Sequence, residues 1–91
     1  MSQRIHVIIS GRVQGVWFRD WTQQNAVELG LAGWVRNRDD GCVEAVIEGK
    51  PDAVEELVTR MHQGPENAHV TGVEAEPEVP TGEFSGFEVI L

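Results

Sequence analysis

GWVRNRDDGCVEAVIEG, residues 33–49, is the stretch whose reading decides the fold. Val35 and Asn37 share one face before an acidic, glycine-bearing break. Val43, Ala45 and Ile47 share one face after it. That period of two marks half-buried strands. Asp40-Gly41 reads as a two-residue turn with both central positions at positive φ, so the segment is expected to be a β-hairpin. Glu44 and Glu48 have the opposite parity and read as a solvated strand face.

Helical patterns flank this hairpin on both sides. Upstream, Phe18, Thr22, Ala26 and Leu29 recur at helical spacing, and Gly30 stands where a left-handed C-terminal residue is favoured. The helix is expected over roughly residues 20–29. Downstream, KPDAVEELVTRMHQG (residues 50–64) buries Val54, Leu57, Val58 and Met61 on one stripe. Pro51 suits its first turn, Asp52, Glu55 and Glu56 suit the positive end of its dipole, and Gly64-Pro65 stops it.

Strands close the pattern. In RIHVIISG (residues 4–11), Ile5, Val7 and Ile9 alternate with His6, Ile8 and Ser10. AHVTGVEAE (68–76) is extended, but Val70 and Val73 differ in parity, so a bulge is expected near Gly72. PEVPTGE (77–83) reads as a loop, and FSGFEVIL (84–91) as a strand with Phe87, Val89 and Leu91 in phase. The resulting order is βαββαβ plus a C-terminal strand. Two amphipathic helices on one face of a mainly antiparallel sheet make an α+β two-layer sandwich, for which the ferredoxin-like arrangement with right-handed crossovers is the natural solution.

Composition bounds the rest. Ninety-one residues with 41% hydrophobic content supply one core, so residues 1–91 are expected to form a single domain. Fifteen acidic residues against seven basic ones give a net charge of −8, which opposes nucleic acid and anionic membranes. A lone cysteine, Cys42, gives no intramolecular disulfide. The three histidines have no metal-ligand spacing. No leader-like or membrane-spanning run is read. The expectation is a cytoplasmic protein with no metal and no cofactor, for which nothing demands more than a monomer.

Against this acidic background, SGRVQGVWFRDW (residues 10–21) sets Arg12 and Arg19 around a glycine-bearing loop that enters the first helix. Free N–H groups at a helix N-terminus favour anions, and Gly11 and Gly15 would let the backbone approach a ligand. Arg19 in the first helical turn opposes the macrodipole by about 0.3–1 kcal/mol, and a bound anion would reverse that sign. A solvated arginine that tolerates the penalty is the alternative. The loop is neither a Walker A sequence nor G-x-G-x-x-G. Connectivity brings Asn37, late in the second strand, to the same sheet edge. It reads either as a turn-capping amide or as one that positions a ligand or water. Trp17, Trp21 and Trp34 could stack on a ligand, but core or rim packing is the favoured reading, and Cys42 reads as an incidental thiol.

GRVQGVWFR resembles the acylphosphatase signature G-x-V-Q-G-V-x-F-R, and GWVRNRDDGCVE resembles that family's second signature, G-W-V-x-N-x-x-D-G-x-V-E. Gly64-Pro65, VTGVE and FSGFEVIL also fit. The resemblance implies a ferredoxin-like sandwich that hydrolyses small-molecule acyl phosphates to carboxylate and inorganic phosphate without a metal. It also implies that Arg19 binds the phosphoryl group, that the amides of Gln14, Gly15, Val16, Trp17, Phe18 and Arg19 cradle its oxygens, and that Asn37 orients the attacking water. The signature's variable position is Trp17, a bulky residue that could either narrow the entrance or contact the acyl part. A carboxylate leaving group, with a pKa near ~4, departs without a general acid, which suits so sparse a site. The competing reading is a non-catalytic anion-binding regulatory module on the same scaffold. An RNA-binding module would want exposed aromatics on the central strands and a basic face.

Overall fold

The computed structural model describes residues 1–91. Its elements are β1 (Gln3–Arg12), α1 (Phe18–Glu28), β2 (Ala32–Asn37), β3 (Val43–Gly49), α2 (Pro51–Met61), β4 (His69–Glu78) and β5 (Phe87–Ile90). The sheet order is β4-β1-β3-β2-β5. Three pairings are antiparallel, and β5 lies parallel to β2. This is the ferredoxin-like order expected from the hairpin between two helices, extended at one edge by the C-terminal strand.

One apolar layer joins the helices to the sheet. Val7, Ile9, Val35, Val43, Ala45 and Ile47 from the strands meet Phe18, Ala26, Val54, Leu57 and Met61 from the helices in a single buried cluster. The strand residues are those whose alternation marked the inner face, because period-two spacing sends them all to one side. Thr22 is fully buried in this layer, and its hydroxyl has no hydrogen-bond partner.

The structure corrects several expectations. The hairpin loop is three residues long: Arg38 N–H donates to the Cys42 carbonyl at 2.8 Å and Gly41 N–H to the Arg38 carbonyl at 3.3 Å. Only Gly41, with φ 90°, has positive φ there. The Asp40 carboxylate accepts the Cys42 N–H at 3.0 Å, which stabilises a turn followed by one left-handed glycine over the two-residue form. That bond, with nearby Arg38, also holds the Asp40 carboxyl below its ordinary range.

Gly11 lies in β1, as the strand expected over residues 4–11 has it, but it does not line the cleft beside the loop as its role in approaching a ligand would require. The register between β1 and β4 slips after Ser10↔Gly72 to Gly11↔Val70, giving the bulge expected near Gly72. A Cβ on Gly11 would lie 2.2 Å from the His69 carbonyl oxygen, so the glycine serves that close approach. β4 then runs on to Glu78, with Pro77 opposite Ile5. An edge strand tolerates the missing N–H.

Glu44 and Glu48 are not a solvated face; they are 9% and 7% exposed. Glu44 accepts from His6 Nε2 and Arg36 Nε, both at 2.6 Å. Glu48 accepts the N–H groups of Thr81 and Gly82 at 3.2 and 2.7 Å, with Arg4 3.6 Å away. Arg4 also donates to Glu78 and Glu83 at 2.8 and 2.6 Å and lies over the Phe84 ring. Parity placed the glutamates correctly on the outer face. The connection between β4 and β5 is drawn over Glu48 by these bonds, while Glu44 is flanked by His6 of β1 and Arg36 of β2. Burial opposes ionisation of Glu44, yet the hydrogen bonds and charges of His6 and Arg36 outweigh it and hold the carboxyl below its ordinary range.

The favoured reading of Trp17 as core or rim packing is also corrected, since it is 76% exposed. Trp21 does pack, 5.4 Å from Phe18 between ring centroids. Trp34 lies beneath the Arg36 guanidinium at 5.6 Å.

Candidate active site

The segment between β1 and α1 alternates between anchors and exposed backbone. Val13, Val16 and Phe18 are buried in the core. Gly15 adopts φ 73° and Trp17 φ 66°, ψ 23°. Trp17 is the one non-glycine residue with positive φ, at a cost of about 1–3 kcal/mol for such a conformation. It caps α1 without a side-chain hydrogen bond, and its left-handed turn lets the helix begin at Phe18, two residues earlier than the spacing implied.

This winding leaves the N–H groups of Gln14 through Arg19 without a bond to any other protein group. In the helix the first pairing from the loop is Trp21 N–H to the Trp17 carbonyl at 3.0 Å. Unpaired amides at a helix N-terminus present partial positive charge to whatever lies in front of them.

Arg19 stands beside these amides. Its Nη1 donates to the Ile90 carbonyl of β5 at 3.2 Å, and no carboxylate pairs with it. In a chain of net charge −8, a guanidinium tethered by a neutral carbonyl keeps donors free for an incoming anion. Asn37 ends β2 on the inner parity, opposite Val43. Its amide bonds neither to the hairpin turn nor elsewhere in the protein, and Asp40 supplies the turn bond instead. The turn-capping reading of Asn37 is therefore set aside.

Arg19 and Asn37 line one cleft of about 420 Å³, together with Gly15, Trp17 and Asp20. Val89 and Leu91 supply the wall from the C-terminal strand, and Val13 and Phe18 the floor. Its size is that of a small-molecule site. Gln14 and Val16 do not line it. Val16 is an anchor, and the Gln14 side chain points to the hairpin, donating from Nε2 to the carbonyls of Arg38 at 2.8 Å and Cys42 at 2.9 Å. This brace between the loop and the end of β2 was not read from the sequence. Nor was the wall from β5, because strand spacing does not reveal which edge a terminal strand joins. Arg12 is exposed and outside the cleft. Cys42 is half-buried with its Sγ 3.5 Å from Ser10 Oγ, and no histidine bonds to it.

Strand order, connectivity and cleft together define a ferredoxin-like α+β sandwich with an arginine-bearing amide loop at the sheet edge. An acylphosphatase from Coxiella burnetii superposes with a TM-score of 0.94 at 40% identity, covering 98% of this chain and 93% of that one. The acylphosphatase from Bacillus subtilis gives 0.94 at 35% identity over the whole of both chains. Full-length HypF shares the fold alone, with a TM-score of 0.85 at 22% identity over 12% of its length. A curated acylphosphatase of Rubrobacter xylanophilus is 56% identical over 88 residues, 97% of this chain and 80% of its own. That of Pelotomaculum thermopropionicum is 52% identical over 94% of both. The acylphosphatase family model matches residues 5–89. The chain belongs to the acylphosphatase family.

Proposed function

We propose that this chain hydrolyses the carboxyl–phosphate bond of acyl phosphates, giving a carboxylate and inorganic phosphate, in the cleft between the Gln14–Arg19 loop and Asn37. The observation that carries this reading is that Gly15, Trp17, Phe18 and Arg19, whose backbone amides are unpaired, line one small cavity with an arginine side chain that has no carboxylate partner and an unpaired asparagine amide.

The chemistry matches those groups. Phosphoryl transfer with a good leaving group needs positioning and charge stabilisation more than covalent help. Of the amides of Gln14 through Arg19, those of the cleft-lining Gly15, Trp17, Phe18 and Arg19 hold the phosphoryl oxygens, and the Arg19 fork completes the cradle. A water attacks phosphorus in line while the bond from phosphorus to the carboxyl oxygen breaks, and the carboxylate departs with the electron pair. Asn37 accepts from that water through its carbonyl and donates through its amide. Having no basic group, it leaves the water's proton to a phosphoryl oxygen. A carboxylate near pKa ~4 needs no protonation to leave, so neither a metal nor a cofactor is required. Residues 1–91 act as one domain, a cleft completed within one chain supports a monomer working on small molecules, and the cytoplasm is the compartment proposed for it.

Steady-state kinetics of two variants test the assignment. Asn37→Ala is expected to lower kcat by ~10²–10³ with little change in phosphate inhibition, as for loss of one transition-state contact. Arg19→Gln is expected to weaken phosphate inhibition and turnover together. Wild-type kinetics in either folded variant removes that residue from the mechanism. Phosphate binding without any hydrolysis by the wild type would select the non-catalytic anion module.

A further inference from the structure

The cradle accounts for the phosphate end of a substrate; the acyl end must occupy what remains of the cleft. Of the apolar residues there, Val13 and Phe18 are each 1% exposed, leaving little of them to touch. The accessible apolar surface belongs to Trp17, Val89 and Leu91, with Trp17 76% and Leu91 104% exposed. Trp17 stacks on no aromatic ring and sits under no cation, unlike Trp21 and Trp34. A residue needed only for its left-handed backbone would be glycine or asparagine. Here that position, between Val16 and the first residue of α1, carries the largest side chain available and holds it at the cleft.

Resting on the acyl-phosphate reading above, we propose that Trp17, with Val89 and Leu91, forms the acyl subsite and makes the enzyme selective for acyl phosphates with a flat, apolar acyl group over those with a small one. An indole face left open offers stacking area to a planar carboxyl-bearing group. A methyl-sized acyl group covers little of it. The selectivity therefore lies in a side chain at the signature's variable position, while the phosphate is held by backbone and arginine.

The test compares benzoyl phosphate with acetyl phosphate on wild type, Trp17→Asn and Trp17→Phe. Asparagine tolerates the left-handed backbone without the ring, and phenylalanine restores an aromatic face. The readout is the ratio of kcat/KM values for the two substrates. Intrinsic reactivity of the two anhydrides cancels when that ratio is compared between variants. It is expected to fall by about tenfold in Trp17→Asn, the scale of discrimination by a small apolar pocket, and to recover in Trp17→Phe. An unchanged ratio in Trp17→Asn, with both substrates still hydrolysed, overturns the subsite and leaves the hydrolase reading intact. Hydrolysis of neither substrate by the wild type overturns the hydrolase reading, and the subsite with it.

Discussion

Gln14 ties the loop to the hairpin through one side-chain amide, and Gln14→Leu removes that brace at nearly constant volume. Both acceptors are backbone carbonyls, those of Arg38 and Cys42 at 2.8 and 2.9 Å. Carbonyls only accept, so the amide nitrogen must face them and both of its hydrogens are used. Each such bond contributes about 0.5–1.5 kcal/mol net, so the loss comes to about 1–3 kcal/mol. For a domain of this size 1 kcal/mol shifts Tm by about 4–8 °C, and a fall of roughly 4–24 °C is expected. That leaves a folded protein if total stability is in the usual range of about 5–15 kcal/mol. Arg38 follows Asn37 directly, so the freed carbonyl also loosens the residue proposed to hold the water. A displacement near 1 Å at such a position costs about a hundredfold, and kcat is expected to fall by about ten- to a hundredfold while the folded fraction stays high. Thermal melts read by circular dichroism, with kcat measured well below Tm, separate the two effects. A Gln14→Leu variant with wild-type Tm and wild-type kcat would refute the brace.

Two further outcomes follow from the buried polar groups. Glu44 has a folded pKa held below its ordinary value of 4.5. Its contribution is thus fully present above that value and lost as pH falls through the lower, folded one. Wild-type stability should therefore decline on acidification below about pH 4.5, and denaturant melts of Glu44→Gln should show a shallower decline from a lower plateau at neutral pH. Thr22→Val should raise Tm by about 4–8 °C, since it removes a buried hydroxyl without a partner, worth about 1 kcal/mol. A lower Tm would mean the hydroxyl is satisfied in solution.

How much of this was legible in the sequence depends on the range of the interaction. The inner faces of β1, β2 and β3 were readable because alternation is local and one buried face fixes it. Two helices around a hairpin then left little freedom of topology. The outer face was misjudged because Arg4 and Glu48 meet residues 78–83 only after the chain has crossed the sheet; no local pattern contains that encounter. The hairpin loop was misjudged by one residue, since Asp40 stabilises its turn through a side chain that propensity does not weigh. At the site, the signatures located Arg19 and Asn37 and the connectivity brought them together. The left-handed backbone of Trp17 was invisible, because a bulky residue is the last expected there. The Gln14 side chain was equally hidden, as the sequence shows its backbone role and its bracing role in the same letter.

The most direct test of the central claim is hydrolysis of an aryl acyl phosphate in excess chelator, with wild type beside Arg19→Gln. Wild-type turnover that the chelator leaves intact and the substitution abolishes is the expected result. Turnover that the chelator removes, or that Arg19→Gln retains in full, would contradict a mechanism in which loop amides and one arginine supply the positive charge.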